Sequence, residues 1–157
     1  MKRIYRIDHY YFKDSKTSNE ECLLIECNRT IEEISEIITA IEFRASDLLN
    51  ETILIESNHI LEILEKFFDV KNVKGEYKHL LKETDKEHSG KVINCYAEKY
   101  VFDKVNVIKI DRYSTWEYND SKCKEKYINK DIDKYILTLK EYYDKLLNEF
   151  INEFDTK

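Results

Sequence analysis

The sequence contains no proline and only two glycines, Gly75 and Gly90. Loops that cradle phosphates need backbone that approaches the ligand closely or takes positive φ, and glycine supplies both. Neither glycine stands in G-x-G-x-x-G or G-x-x-x-x-G-K-[ST], so both nucleotide-loop fingerprints are absent. Long apolar runs are missing as well: none approaches the roughly 18 residues of a membrane span. Residues 1–6, Met-Lys-Arg-Ile-Tyr-Arg, carry no apolar core segment, so no signal peptide and a cytoplasmic location are expected. Cysteine is sparse and scattered at Cys22, Cys27, Cys95 and Cys123, without a C-x-x-C, and reads as reduced thiol. Alanine is scarce while Lys, Ile, Asn, Glu and Tyr abound, a bias that fits a low-GC bacterial genome or a phage or plasmid within one.

What is present suffices for a core. The 157 residues fit one domain, 1–157, and twelve Tyr and seven Phe add bulk to it. Charge is unevenly divided. Residues 1–13 carry four basic side chains against Asp8. Residues 14–69 carry four basic and fourteen acidic, and residues 70–157 eighteen basic and seventeen acidic. The net charge of −6 therefore belongs to one stretch. Direct binding of a duplex needs clustered Lys and Arg to displace counterions, so nucleic acid is not an expected ligand.

Periodicity gives an α+β chain. Residues 3–12 alternate, with Tyr5, Ile7, His9 and Tyr11 on one face and Ile4, Arg6, Asp8, Tyr10 and Phe12 on the other. Cys22–Cys27 reads as a second strand, making a hairpin across the polar segment 13–20. Thr30-Ile-Glu-Glu33 opens a helix with a capping box. Ile31, Ile34, Ile38, Ile41, Ala45 and Leu48 then recur at threes and fours. Thr52–Ile55 reads as a short buried strand. Ser57 or Asn58 caps a second helix that turns Ile60, Leu61, Leu64, Phe67 and Phe68 inward. The segment 70–90 is ambiguous. Val92–Val101 and Val105–Ile110 read as a second hairpin about Phe102-Asp103-Lys104, which Tyr113, Trp116 and Tyr118 could extend. One long helix is expected over Asp131–Phe154, with its two early Asp residues matching the helix dipole. The expected architecture is a mainly antiparallel sheet from two hairpins plus one short strand, with two central helices and a long C-terminal helix packed on it.

Few residues point to chemistry. Cys22 and Cys27 are five apart on a strand and so face opposite ways, while His59, His79 and His88 lie in three segments. No metal and no cofactor is expected. Lysines flank Cys123 and favour its thiolate, whereas Cys95 sits on the apolar side of its strand. Asp8 and His9 are adjacent on a strand and cannot form a dyad. His9 with Glu26 is the catalytic candidate of an enzyme reading, a small nucleotide or phosphodiester hydrolase, and that reading predicts loss of turnover in His9→Ala. Tyr96, Tyr100, Tyr113, Trp116 and Tyr118 form a recognition surface if exposed, or packing if the C-terminal helix covers them. Glu32, Glu33, Glu36, Glu42 and Asp47 lie off the isoleucine stripe of the first helix, as Glu62 and Glu65 do on the second. Such a face is either a solvated surface or a negative patch that steers toward a basic partner.

The leading expectation is a small acidic inhibitor of a nucleic-acid-processing enzyme or other basic protein. Its type is that of immunity proteins against toxic nucleases, or of phage proteins that block nuclease-based defence. Contacts are expected through Glu32, Glu33, Glu36, Glu42, Tyr96, Tyr100, Tyr113, Trp116 and Tyr118. A third expectation is a structural subunit that oligomerises through the C-terminal helix.

Overall fold

In the computed structural model, residues 3–12, 18–51, 54–85, 90–94, 97–102, 105–111 and 126–155 are described. Two ten-residue strands, β1 (Arg3–Phe12) and β2 (Ser18–Cys27), pair antiparallel in continuous register from Arg3 opposite Cys27 to Phe12 opposite Ser18. The first hairpin therefore forms as its alternation implies. The Tyr5 hydroxyl donates to the Arg29 carbonyl at 2.5 Å and fixes the exit from β2 into helix α1 (Ile31–Leu48). The capping box is present: Glu33 N–H donates to Thr30 Oγ1 at 3.2 Å, and the Glu33 carboxylate reaches back to the Thr30 backbone. Ile34, Ile37, Ile38, Ile41 and Ala45 are buried against the sheet.

Leu54 and Ile55 are not in a strand, and Thr52 and Ile53 lie outside the described residues. Ile55 is 1 % exposed, so the apolar run is a buried connector between two helices. A short apolar run has the same composition whether or not it joins a ladder. Helix α2 (Ser57–Phe67) follows, with Glu56 at its N-cap and no side-chain cap. Ser57, a residue well suited to capping, turns its hydroxyl to His9 instead. The helix ends at Phe68, and Asp69 takes φ 52°, a left-handed residue that turns the chain toward the sheet.

The segment 70–90 resolves into a two-residue strand β3 (Lys71–Asn72) and two short helices, α3 (Lys74–Tyr77) and α4 (His79–Thr84). Beyond it come β4 (Lys91–Asn94), β5 (Ala97–Phe102) and β6 (Val105–Asp111). The expected strand Val92–Val101 is two strands folded back on each other, Lys91 facing Lys99 and Asn94 facing Ala97. Val92 and Ile93 are both exposed, at 67 % and 45 %, so β4 lacks the buried face that a single alternating strand implies. The β5–β6 hairpin forms as expected, Phe102 opposite Val105.

The six strands run in the order β3-β2-β1-β6-β5-β4. The sheet is mixed rather than antiparallel throughout, because β1 and β6 lie side by side and parallel, Ile4 beside Val107 and Ile7 beside Ile110. Two hairpin-built halves thus join along their first and last strands. One sheet face, carrying Tyr5, Ile7, Leu23, Ile25 and Ile110, packs under α1, α2 and the C-terminal helices. The other, carrying Ile4, Leu24, Tyr100 and Val107, packs against Val73 and Leu80 of the α3–α4 segment. Covering on both sides explains why neither face of β1 is wholly polar.

The C-terminal helix is two helices, α5 (Lys130–Thr138) and α6 (Lys140–Asp155). Asn129 caps α5 by accepting from Ile132 N–H at 2.9 Å. At Leu139 the backbone N–H turns to Ile136 O at 2.9 Å, a tighter bond that interrupts the α ladder. Ile132 and Ile136 of α5 and Tyr143 of α6 stay on one apolar stripe across the break, so spacing alone gives no sign of it. Among the described residues no helix is long and apolar enough to cross a membrane.

Candidate functional site

His9 points from β1 into the layer between sheet and helices and is 3 % exposed. Its Nδ1 lies 2.6 Å from Ser57 Oγ on α2, and its Nε2 lies 3.7 Å from Glu42 Oε1 on α1. A carboxylate on that side favours the proton on Nε2, which leaves Nδ1 to accept from the serine hydroxyl. Hydroxyl, imidazole and carboxylate in series match the logic of a hydrolase triad. Access does not: Ser57 is 0 % exposed, and a nucleophile must meet its target at roughly 3 Å. In this conformation the cluster satisfies buried polar groups and ties α1 and α2 to β1.

The expected pairing of His9 with Glu26 does not form. Glu26 stands opposite Ile4 in the β1–β2 register, on the other sheet face from His9, and opposite Lys71 on β3. The spacing of strand residues separates them, and only the helices bring His9 its carboxylate. Ser57 and Glu42 as its neighbours are not readable from the sequence, since they stand 48 and 33 positions from His9.

A second polar cluster sits at the same end of α2. The Tyr143 hydroxyl of α6 accepts from Glu56 N–H at 2.8 Å and lies 2.7 Å from His59 Nδ1. Burial lowers the His59 pKa from its ordinary value, against the opposing pull of Glu56 and Glu62. Glu56 Oε2 is buried and has no hydrogen-bond partner among the described residues.

The opposite sheet face holds an ionic cluster around Arg6, which is 4 % exposed. Its guanidinium donates to Asp8 at 2.9 Å, to the Leu81 carbonyl at 2.8 Å, to Thr84 Oγ1, and to Asp85 at 2.7 Å. Cys22 Sγ accepts from it at 3.3 Å and donates to Asp8 at 3.2 Å. Burial, with Asp8 beside it, pushes the Cys22 thiol up to about 11, and burial also raises Cys27 on the core face. Both are therefore poor nucleophiles at neutral pH. Cys95, Cys123 and His88 lie outside the described residues. Among the described residues no group of three His, Cys, Asp or Glu is arranged to hold a metal ion.

The acidic face centres on α1, which carries Glu32, Glu33, Glu36, Glu42 and Asp47 against Arg44 alone. Arg44 is itself neutralised by Asp133 of α5 through two bonds of 2.7 Å. Several of the acids have internal partners. Glu33 closes the capping box and sits 3.7 Å from Arg29, Glu36 accepts from the Tyr127 hydroxyl at 3.0 Å, and Glu42 faces His9. Glu32 is exposed, as are Glu62 and Glu65 of α2 and Glu141 and Glu149 of α6, all on the same side of the sheet. The other side presents Lys74, Lys78 and Lys82 on α3, α4 and the residue between them.

Tyr100 is not available as a contact residue. It is 4 % exposed, its hydroxyl donates to Glu98 at 2.7 Å, and it packs in the core between the sheet and the α3–α4 segment rather than under the C-terminal helix. Tyr96, Tyr113, Trp116 and Tyr118 lie outside the described residues, as do the side chains of Tyr10, Tyr11 and Phe12. No protein-family model, no curated protein and no solved structure matches this chain.

Proposed function

We propose that the chain is a protein-binding antagonist that offers the acidic side of its helical layer to a basic, nucleic-acid-processing partner. The observation that supports this reading is the gathering of Glu32, Glu62, Glu65, Glu141 and Glu149 on one side of the sheet, with α1 holding a single arginine that Asp133 already engages. Exposed Lys66, Lys130, Lys134, Lys140 and Lys145 stand on α2, α5 and α6, so the excess of acid lies on α1, and a surface of net negative charge raises encounter rates with a groove of the opposite sign. Such a groove is what an enzyme uses to hold a phosphate backbone, and an acidic surface competes for it.

The test is a paired capture from extract of the source cell, with the wild-type chain and the Glu32→Lys, Glu62→Lys, Glu65→Lys triple variant as baits. The wild type should retain a stoichiometric partner that raised salt or added duplex DNA releases, and the variant should bind it at least about tenfold more weakly. Equal recovery by both baits would sink the acidic-face reading.

The Ser57–His9–Glu42 series favours a second reading, a small hydrolase of nucleotides or phosphodiesters, in a conformation that exposes Ser57. It is checked by the serine substitution described below.

A further inference from the structure

The helical layer stops short of the last strands of the sheet. On the face that packs under α1, α2 and the C-terminal helices, β5 runs from Ala97, 2 % exposed, to Val101, 62 % exposed. The register fixes which side chains share that face: Ala97 stands beside Ile110, Lys99 beside Ile108 and Val101 beside Asn106. On β4, Lys91 stands opposite Lys99. Lys91, Lys99 and Asn106 are exposed, and so is Ile93, at the shift in register between Val92 and Asn94. Among the described residues of β4, β5 and β6, this face therefore carries two lysines and no carboxylate. Glu98 belongs to the other face, where it accepts from the Tyr100 hydroxyl at 2.7 Å.

Side chains directly opposite each other on antiparallel strands have Cβ atoms roughly 5 Å apart, and like charges there repel. Neither Lys91 nor Lys99 has an ion-pair partner among the described residues. The pair gives the isolated fold nothing, whereas an anion seated between the two ammonium groups turns repulsion into two charge-assisted bonds. Val101 and Ile93 border the pair, and both gain by burial against apolar side chains. We propose that this bare face of the β4–β5 hairpin is a docking site for an acidic segment of a partner protein: one carboxylate lies between Lys91 and Lys99, and its apolar neighbours in that segment cover Val101 and Ile93. Charge complementarity selects the acid. The apolar flanks select a peptide over a nucleic acid, because a phosphate backbone gains nothing from valine and isoleucine and needs a longer row of cations. A second copy offering the same hairpin brings four lysines together and is opposed by them. The site is independent of α1 and its acids.

The experiment is fluorescence anisotropy with the full chain at low ionic strength and three labelled probes: a short peptide of alternating Glu and Val, its Gln and Val counterpart, and a single-stranded oligothymidylate. The Glu–Val peptide should bind at least about tenfold more tightly than the Gln–Val peptide, and raised salt should weaken it. The double variant Lys91→Gln, Lys99→Gln should lose at least about tenfold in affinity for the Glu–Val peptide. Val101→Ser should lose part of the affinity and keep the salt dependence. Both lysines are exposed and repel each other, so the double variant should melt no lower than the wild type. No binding of the Glu–Val peptide, equal affinity of wild type and double variant for it, or a double variant that melts lower would overturn the proposal. Tighter binding of the oligothymidylate than of the peptide would do the same, since the surface would then serve nucleic acid. So would light scattering that shows a wild-type dimer which the double variant lacks, since a second copy would then be the occupant.

Discussion

Replacing Arg6 with methionine isolates the buried ionic cluster on the second face of the sheet. Methionine keeps most of the apolar stem and deletes the guanidinium. Two of the groups it leaves behind relax easily. Asp85 is 60 % exposed and hydrates, while the Thr84 hydroxyl still donates to Leu80 O or Leu81 O at 3.0 and 3.1 Å. Asp8 is different: its side chain is only 16 % exposed, and what remains is the Cys22 thiol at 3.2 Å and Lys109 at 3.8 Å. Stranding a buried carboxylate costs ~3–5 kcal/mol, and its residual exposure places this site at the low end. A loss of ~3 kcal/mol lowers the melting temperature by roughly 10 °C in a domain of this size. Urea unfolding followed by far-UV circular dichroism reads it directly. The double variant Arg6→Met, Asp8→Asn removes both charges and should recover about half of the loss, giving a coupling of ~1–2 kcal/mol in the cycle. If Arg6→Met costs less than about 1 kcal/mol, or the double variant equals the sum of the singles, the claim that Asp8 is stranded is wrong.

Two further substitutions probe other sites. Gly90 is approached by the buried Tyr100 ring so closely that a Cβ would overlap it, so Gly90→Ala should destabilise by ~1–3 kcal/mol in the same assay. Tyr100→Leu combined with it should restore part of that. Ser57→Ala leaves His9 Nδ1 buried without its hydroxyl and should destabilise by ~1–3 kcal/mol. If wild-type protein also turns over a nucleotide or phosphodiester and Ser57→Ala abolishes it with the fold intact, the hydrolase reading displaces the antagonist one.

Elements with a local cause were legible. The β1–β2 hairpin follows from alternation over ten residues, and the α1 start follows from Thr30 and Glu33, which need only each other. The inward set of α2 holds at Ile60, Leu64 and Phe68, but Ile63 is buried as well and Leu61 and Phe67 are only partly so, because a helical period gives a stripe and not its exact centre. The candidate site was legible only as separate residues. The sequence marks His9 but pairs it with Glu26, an acid on the other sheet face, whereas packing supplies Glu42 from a helix. Tyr100 has no surface role because the earlier α3–α4 segment covers it, and a strand pattern does not say which face a helix will cover.

The sequence by itself determined the first hairpin, the start of α1, the acidic character of residues 14–69 and the absence of phosphate loops, since these depend on composition and short-range spacing. Only the tertiary structure decided that β1 pairs in parallel with β6, that Arg6 is buried under α4, and that Tyr143 of α6 meets His59. The physical reason is the same in each case. Those contacts join residues 75 to more than 100 positions apart, and their partners are selected by how apolar surfaces close over one another, a property of the folded whole that no local pattern encodes.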